Sequence, residues 1–191
     1  MQRVRAFIAI PIASGVSSRA AEIMRRLREC NAAVNWVPPQ NLHLTLKFLG
    51  ETPIEESPEI CEAVRRATED LPPFDLAFHG LSAFPSVEKP RTIWLGVSEG
   101  EAELCELAQR IDDELAKLGY ARETRRLSPH LTIGRIRESI PSDHPLLDAL
   151  AKHADFDANV MGVDEVVVYA SFLDKKGPIY DALGTVELLG V

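Results

Sequence analysis

Residues 41–50 read Asn-Leu-His-Leu-Thr-Leu-Lys-Phe-Leu-Gly, and residues 129–137 read Pro-His-Leu-Thr-Ile-Gly-Arg-Ile-Arg. Both place an imidazole and a hydroxyl two residues apart inside an apolar, strand-forming run. Side chains alternate between the faces of a strand, so His43 and Thr45 share one face, as do His130 and Thr132. A polar pair on one face, with leucine, isoleucine or phenylalanine on the other, describes a strand whose polar face lines something other than core. Two such strands predict one cleft holding two histidines.

The two histidines, at 43 and 130, are 87 residues apart, and the same offset relates much of the chain to itself. It lays Phe7-Ile8-Ala9-Ile10 on Trp94-Leu95-Gly96-Val97, the helix predicted at Ser14–Cys30 on that at Glu101–Leu118, and Ser57-Pro58 on His144-Pro145. After a five-residue shortening, Phe74-Asp75 and Gly80 align with Phe156-Asp157 and Gly162. Each unit reads strand, helix, His-x-Thr strand, helix, strand, strand. The expectation is one bilobal domain over residues 1–191, with duplicated lobes of about 1–90 and 91–191 related by a pseudo-twofold. That symmetry sets the two His-x-Thr strands face to face.

Local signals fill in the elements. Strands are predicted at Val4–Ile10, Leu42–Leu49, Phe74–Phe84, Thr92–Val97, His130–Ile136, Val163–Phe172 and Ile179–Leu189, the last two joined by an Asp174–Pro178 turn. Amphipathic helices are predicted at Ser14–Cys30, from Ser57-Pro58 to Leu71, at Glu101–Leu118 and at Pro145–His153. Ser57 is expected as a cap with Pro58 in the first turn, and Gly119 as the C-terminal cap of the third helix. Asn35–Gln40, with Pro38-Pro39, is predicted as an extended connector.

The totals narrow the function classes. With 191 residues and 46% hydrophobic content, the chain has ample material for a core. Cys30, Cys61 and Cys105 are odd in number and lack metal-type spacing, which predicts small buried hydrophobes in a reducing compartment. No apolar run reaches the ~20 residues needed to span a bilayer, and the first residues lack a leader pattern, so a cytoplasmic protein is expected. A net charge of −8 argues against coating a nucleic acid through its phosphates. Yet Ala121–Arg137 carries Arg122, Arg125, Arg126, Arg135 and Arg137 against Glu123 alone. A small anionic group suits that window better than a long polyanion.

Two histidines and two threonines in one cleft define a chemistry. An unperturbed imidazole titrates near pH 6.5, so one copy can take a proton from water while the other donates one to a leaving oxygen. Either histidine can fill either role. The hydroxyls can donate to non-bridging oxygens as charge builds. The set matches in-line hydrolysis of a phosphodiester without metal, cofactor or covalent nucleophile. Two histidines alone make a poor metal site, Ser128 lacks a nucleophile-elbow context, and no phosphate-binding glycine loop is present. A non-catalytic nucleotide-binding module is the rival reading. Phe48 and Arg135 each follow their histidine by five residues and are equivalents under the offset; a ring and a guanidinium there can sandwich a base. Their odd spacing points them off the His-x-Thr face unless the strands end or twist. Lys47 alternates onto the His43 face, within reach of a phosphate. Trp36 and Trp94 are expected as core anchors, and His79, His144 and His153 as surface, cap or core groups.

His43-Leu-Thr-Leu-Lys-Phe-Leu-Gly and His130-Leu-Thr-Ile-Gly-Arg resemble the paired motifs of the two-histidine phosphoesterases. The nearest resemblance is to the RNA 2',3'-cyclic phosphodiesterases, also called 2'-5' RNA ligases. Phe7–Pro11, Trp36–Asn41, Phe84-Pro85, Trp94–Val97 and Asp164–Tyr169 also resemble family stretches. The resemblance implies an α+β bilobal fold, with antiparallel sheets lining a central cleft and helices outside. It implies metal-independent opening of a terminal 2',3'-cyclic phosphate, on RNA 3' ends or small nucleotides, to a 2'-phosphate. Carried over, His43 is the proton donor to O3' and His130 the acceptor from water, with Thr45, Thr132, Phe48 and Arg135 binding substrate. Run backwards, the site is an ATP-independent 2'-5' ligase. A monomer without membrane attachment is expected. Ala170 departs from the family, where an arginine commonly follows the tyrosine at this point.

Overall fold

The computed structural model describes residues 2–174 and 177–190. Its elements run β1 (Arg3–Pro11), α1 (Ser14–Arg28), β2 (Val34–Trp36), β3 (His43–Pro53), α2 (Ser57–Thr68), β4 (Phe74–Phe84) and β5 (Thr92–Glu99). They continue with α3 (Glu101–Lys117), β6 (His130–Ile136), α4 (Pro145–Lys152), β7 (Asp157–Val163), β8 (Glu165–Asp174) and β9 (Gly177–Glu187). The architecture is α+β, with two antiparallel sheets ordered β3-β1-β8-β9 and β2-β6-β5-β4-β7.

The predicted strands and helices recur with small boundary shifts, each for a physical reason. The α3 stripe of Leu104, Leu107, Ile111 and Leu115 is fully buried, and Gly119, at φ 90°, ends the helix in the left-handed region that glycine adopts without strain. Ser57 is not the cap of α2. A 3-10 turn at Ile54–Glu56 leads in, and the Ser57 hydroxyl donates back to the Ile54 carbonyl at 2.7 Å. The predicted connector contains a short strand, β2, which pairs with β6 through Trp36 and Gly134. β7, placed on a strand only by the internal repeat, pairs with β4. Two residues of the predicted Asp174–Pro178 turn, Lys175 and Lys176, lie outside the described residues.

The sheets are not consecutive halves of the chain. β4 joins β5 in the second sheet, and β8 returns to pair with β1 in the first. The chain therefore passes between sheets on entering β2, β3, β4 and β8. Helices interleave too: α2 packs on β8 and β9 and α3 on β3, whereas α1 packs on β6 and β7 and α4 on β4. The two His-x-Thr strands, β3 and β6, come close to each other between the sheets.

An irregularity within each motif decides what these strands present; β3 has a second one, at Leu49, beyond Phe48. Along β1, Ala9 pairs with Thr45 but Ile8 with Lys47, so Leu46 is an extra residue, a β-bulge. Along β5, Trp94 pairs with Thr132 but Ile93 with Gly134, so Ile133 is the extra residue. Leu46 and Ile133 are separated by the same offset as the histidines. A one-residue insertion exchanges the faces for everything after it. Phe48 opposite Phe7, and Arg135 opposite Thr92, are thereby returned to the His-x-Thr face of their strands.

Candidate active site

His43 and His130 are held alike. The ring Nδ1 of His43 lies 2.7 Å from the Asn41 carbonyl, and that of His130 lies 2.7 Å from the Ser128 carbonyl. A carbonyl only accepts, so each Nδ1 carries the proton and each Nε2 is left for chemistry. Asn41 and Ser128 are themselves equivalents under the offset. Asn41 is fixed from its other end, its side-chain amide donating to the Pro178 carbonyl at 2.8 Å.

Both rings face a cleft of about 950 Å³ that Thr45, Thr132, Phe48 and Arg135 also line. The structure thus brings all six predicted site residues to one cavity. Phe48 is 67% exposed, so core packing does not account for it. Arg135 is also exposed, and its side chain donates from Nη1 to the Thr92 hydroxyl at 3.4 Å. The bulges explain why odd spacing did not turn these two away.

Lys47 is a correction to the strict alternation of the sequence reading. Following the bulge, it faces the core at 3% exposure and donates from Nζ to Asp112 Oδ1 and to the Ala121 carbonyl, each at 2.5 Å. Glu123 lies 3.8 Å from the same ammonium, and its backbone N–H donates to Asp112 at 3.1 Å. This buried pair ties the connector between α3 and β6 to the body of the first sheet.

Aromatic rings frame both imidazoles, a feature the sequence reading passed over. Phe7 lies 4.8 Å from His43 between ring centres, and Tyr180 meets His43 edge-on at 5.2 Å. Phe84 meets His130 edge-on at 5.0 Å, and Trp94 lies 6.2 Å away. Phe7 and Trp94 are offset equivalents, which was the available signal; Tyr180 and Phe84 carried none. Trp94 thus belongs to the site's surroundings as well as to packing. Burial among these groups lowers the His43 pKa from its ordinary 6.5, Asn41 partly opposing the shift and the Arg135 charge adding to it. Burial also raises the Tyr180 phenol above its usual range. His144 caps α4, accepting from the Leu146 N–H at 3.1 Å. Ala170 is fully buried opposite Ala6, on the core side of β8, and supplies nothing to the cleft. Among the described residues no cluster of three His, Cys, Asp or Glu groups is arranged to hold a metal, and no helix is long and apolar enough to cross a membrane.

A duplicated, antiparallel two-sheet scaffold with one His-x-Thr strand per sheet defines the two-histidine class of folds. A sequence profile of the 2'-5' RNA ligase superfamily matches residues 16–171, and the chain belongs to that family. It is 34% identical to the RNA 2',3'-cyclic phosphodiesterase of Archaeoglobus fulgidus over 96% of this chain and 100% of that one. It is also 34% identical to the protein of the same name from Thermotoga maritima, over 94% and 93% respectively. Among solved structures, TT0787 of Thermus thermophilus superposes with a TM-score of 0.81 at 26% identity, covering 97% of this chain and 98% of that one. Escherichia coli LigT complexed with 3'-AMP gives 0.75 at 25% identity, covering 98% and 99%.

Proposed function

We propose that this protein hydrolyses the terminal 2',3'-cyclic phosphodiester of RNA 3' ends, or of small nucleotides, to a 2'-phosphomonoester, without a metal. Relatives about a third identical over nearly the whole chain are named for the first part of that activity. The observation that carries the mechanism is the matched pair of imidazoles. Each has Nδ1 tied to a backbone carbonyl, which leaves both Nε2 atoms available at one cavity.

His43 acts as the proton donor to the departing O3', and His130 as the acceptor that activates water. The Thr45 and Thr132 hydroxyls donate to the non-bridging phosphate oxygens, where charge builds in the transition state. Arg135 neutralises part of that charge, and its guanidinium and the Phe48 ring hold the terminal base between them. A bound phosphate anion favours the protonated form of His43, offsetting the burial that disfavours it in the free protein. The chain functions as one bilobal domain.

The test uses an oligoribonucleotide ending in a 2',3'-cyclic phosphate, with excess EDTA. Wild type converts it to the 2'-phosphate, and His43→Ala and His130→Ala each lose about 10²-fold or more in kcat. A 3'-phosphate product reverses which oxygen leaves. Loss of activity on chelation, or no turnover at all, overturns the metal-free hydrolase.

A further inference from the structure

The cleft is symmetric at its centre and asymmetric at its edge. The connector before β3, residues 33–41, contains no charged side chain. Its counterpart before β6, residues 120–128, carries Arg122, Glu123, Arg125 and Arg126. The first two are engaged: Arg122 pairs with Asp113, and Glu123 sits over the Lys47–Asp112 pair. Arg125 and Arg126 line the same cavity as the two histidines, and among the described residues neither makes an ion pair or hydrogen bond. The acids of the cavity wall, Asp112 and Glu123, are already offset by Lys47 and Arg122. In a chain of net charge −8, two uncompensated arginines at one edge of a cleft are a local field of opposite sign.

Nor do they ride on a free arm. The Lys47 ammonium bonds the Ala121 carbonyl at one end of the connector, and Ser128 at the other end holds His130. Arg126 is four residues from His130, so their backbones are at most ~14 Å apart even if the chain is fully extended. A short oligonucleotide covers that span, and its backbone phosphates are the anionic groups that two further cations, beyond the two His-x-Thr pairs, are suited to take.

We propose that Arg125 and Arg126 bind the phosphodiester backbone of an RNA strand, 5' of its cyclic end, and that the strand leaves the cleft over the His130 side. This inference rests on the reading of the site as a cyclic phosphodiesterase and adds a direction and a preference to it. The substrate is an oligonucleotide in preference to a mononucleotide, and one lip of a pseudo-symmetric cleft sets the polarity of the chain laid across it. The arginines make no claim on base identity, because phosphate contacts position a strand without reading it.

The test compares a nucleoside 2',3'-cyclic phosphate with an RNA hexamer ending in the same group, for wild type and for R125Q/R126Q. The expected result is a fall of about tenfold or more in kcat/KM for the hexamer, carried by KM, with a change under twofold for the mononucleotide. Binding of a hexamer ending in a 2'-phosphate, followed by fluorescence anisotropy, should show a log Kd against log salt slope shallower by about 1.4, for two phosphates lost at about 0.7 each. R25Q/R65Q, which changes net charge equally on remote helices, should behave as wild type. Equal losses on both substrates, no loss on either, or a matching loss in R25Q/R65Q each overturn the proposal. If wild type turns over neither substrate, the phosphodiesterase reading fails. The anisotropy slopes then decide separately: a shallower slope keeps the backbone site, and equal slopes remove it.

Discussion

At His43, burial and hydrogen bonding pull in opposite directions, and burial dominates. Its pKa in the folded protein lies below the unfolded value of about 6.5, so the unfolded chain binds the proton more tightly. Stability from this group is therefore complete above that pH and is lost as pH falls from there through the folded pKa. Replacing His43 with Gln should flatten that part of a urea-midpoint against pH curve. The same depression sets a kinetic signature for a donor histidine. In the free protein kcat/KM should decline on the alkaline side from below pH 6.5, while kcat, set by the phosphate-bound complex, holds to higher pH. A kcat/KM that rises as His43 loses its proton would exchange the two histidine roles. Phe48 separates recognition from folding. At 67% exposure its replacement by Ala should leave stability within about 0.5 kcal/mol, and losing one base-stacking platform worth ~1–3 kcal/mol should weaken substrate binding by about fivefold to 150-fold. An unchanged KM would return Phe48 to an incidental surface position.

Among the elements, the paired strands show what was legible in the sequence. Two His-x-Thr motifs, their offset and the alternation around them located the four central residues and predicted that they share a cleft. The bulges at Leu46 and Ile133 were not legible, because an inserted residue in an apolar run looks like any other until a partner strand fixes the register. Strict alternation consequently sent Lys47 to the cleft face and left Phe48 and Arg135 with the wrong parity. Lys47 instead makes a buried ion pair, whose value lies in its completeness. Lys47→Met leaves the buried Asp112 carboxylate with only the Glu123 N–H and the more distant Arg122, and should cost up to about 3–5 kcal/mol in urea unfolding; adding Asp112→Leu should recover part of it. A single variant as stable as wild type would show that solvent reaches the pair. β2 escaped notice for another reason. Three residues carry little periodicity, and the strand depends on Gly134, where a Cβ would come within 2.8 Å of Val34 and 2.9 Å of Trp36. Gly134→Ala should displace β2 and destabilise by ~1–3 kcal/mol.

For the whole molecule, the repeat anticipated two similar lobes, and what it could not reveal was which strand joins which sheet. Pairing between β1 and β8, or β4 and β5, depends on long-range packing that no local signal encodes. Because His43 and His130 come from different sheets, a ligand held by both would tie the sheets together. A nucleoside 2'-phosphate at a hundred times its Kd should add about 2.7 kcal/mol, a rise in Tm of roughly 5–10 °C. No rise would mean that the folded protein does not bind the product. The four passages of the chain between sheets, at β2, β3, β4 and β8, carry one more consequence. A protein joined by a single hinge can close on whatever it catches. Here, opening the cleft would require four separated connections to bend together, which favours a constant width. The expected consequence is a gauge, with ligands sorted by their fit to the gap already present and a bulkier terminus turned over poorly instead of being accommodated.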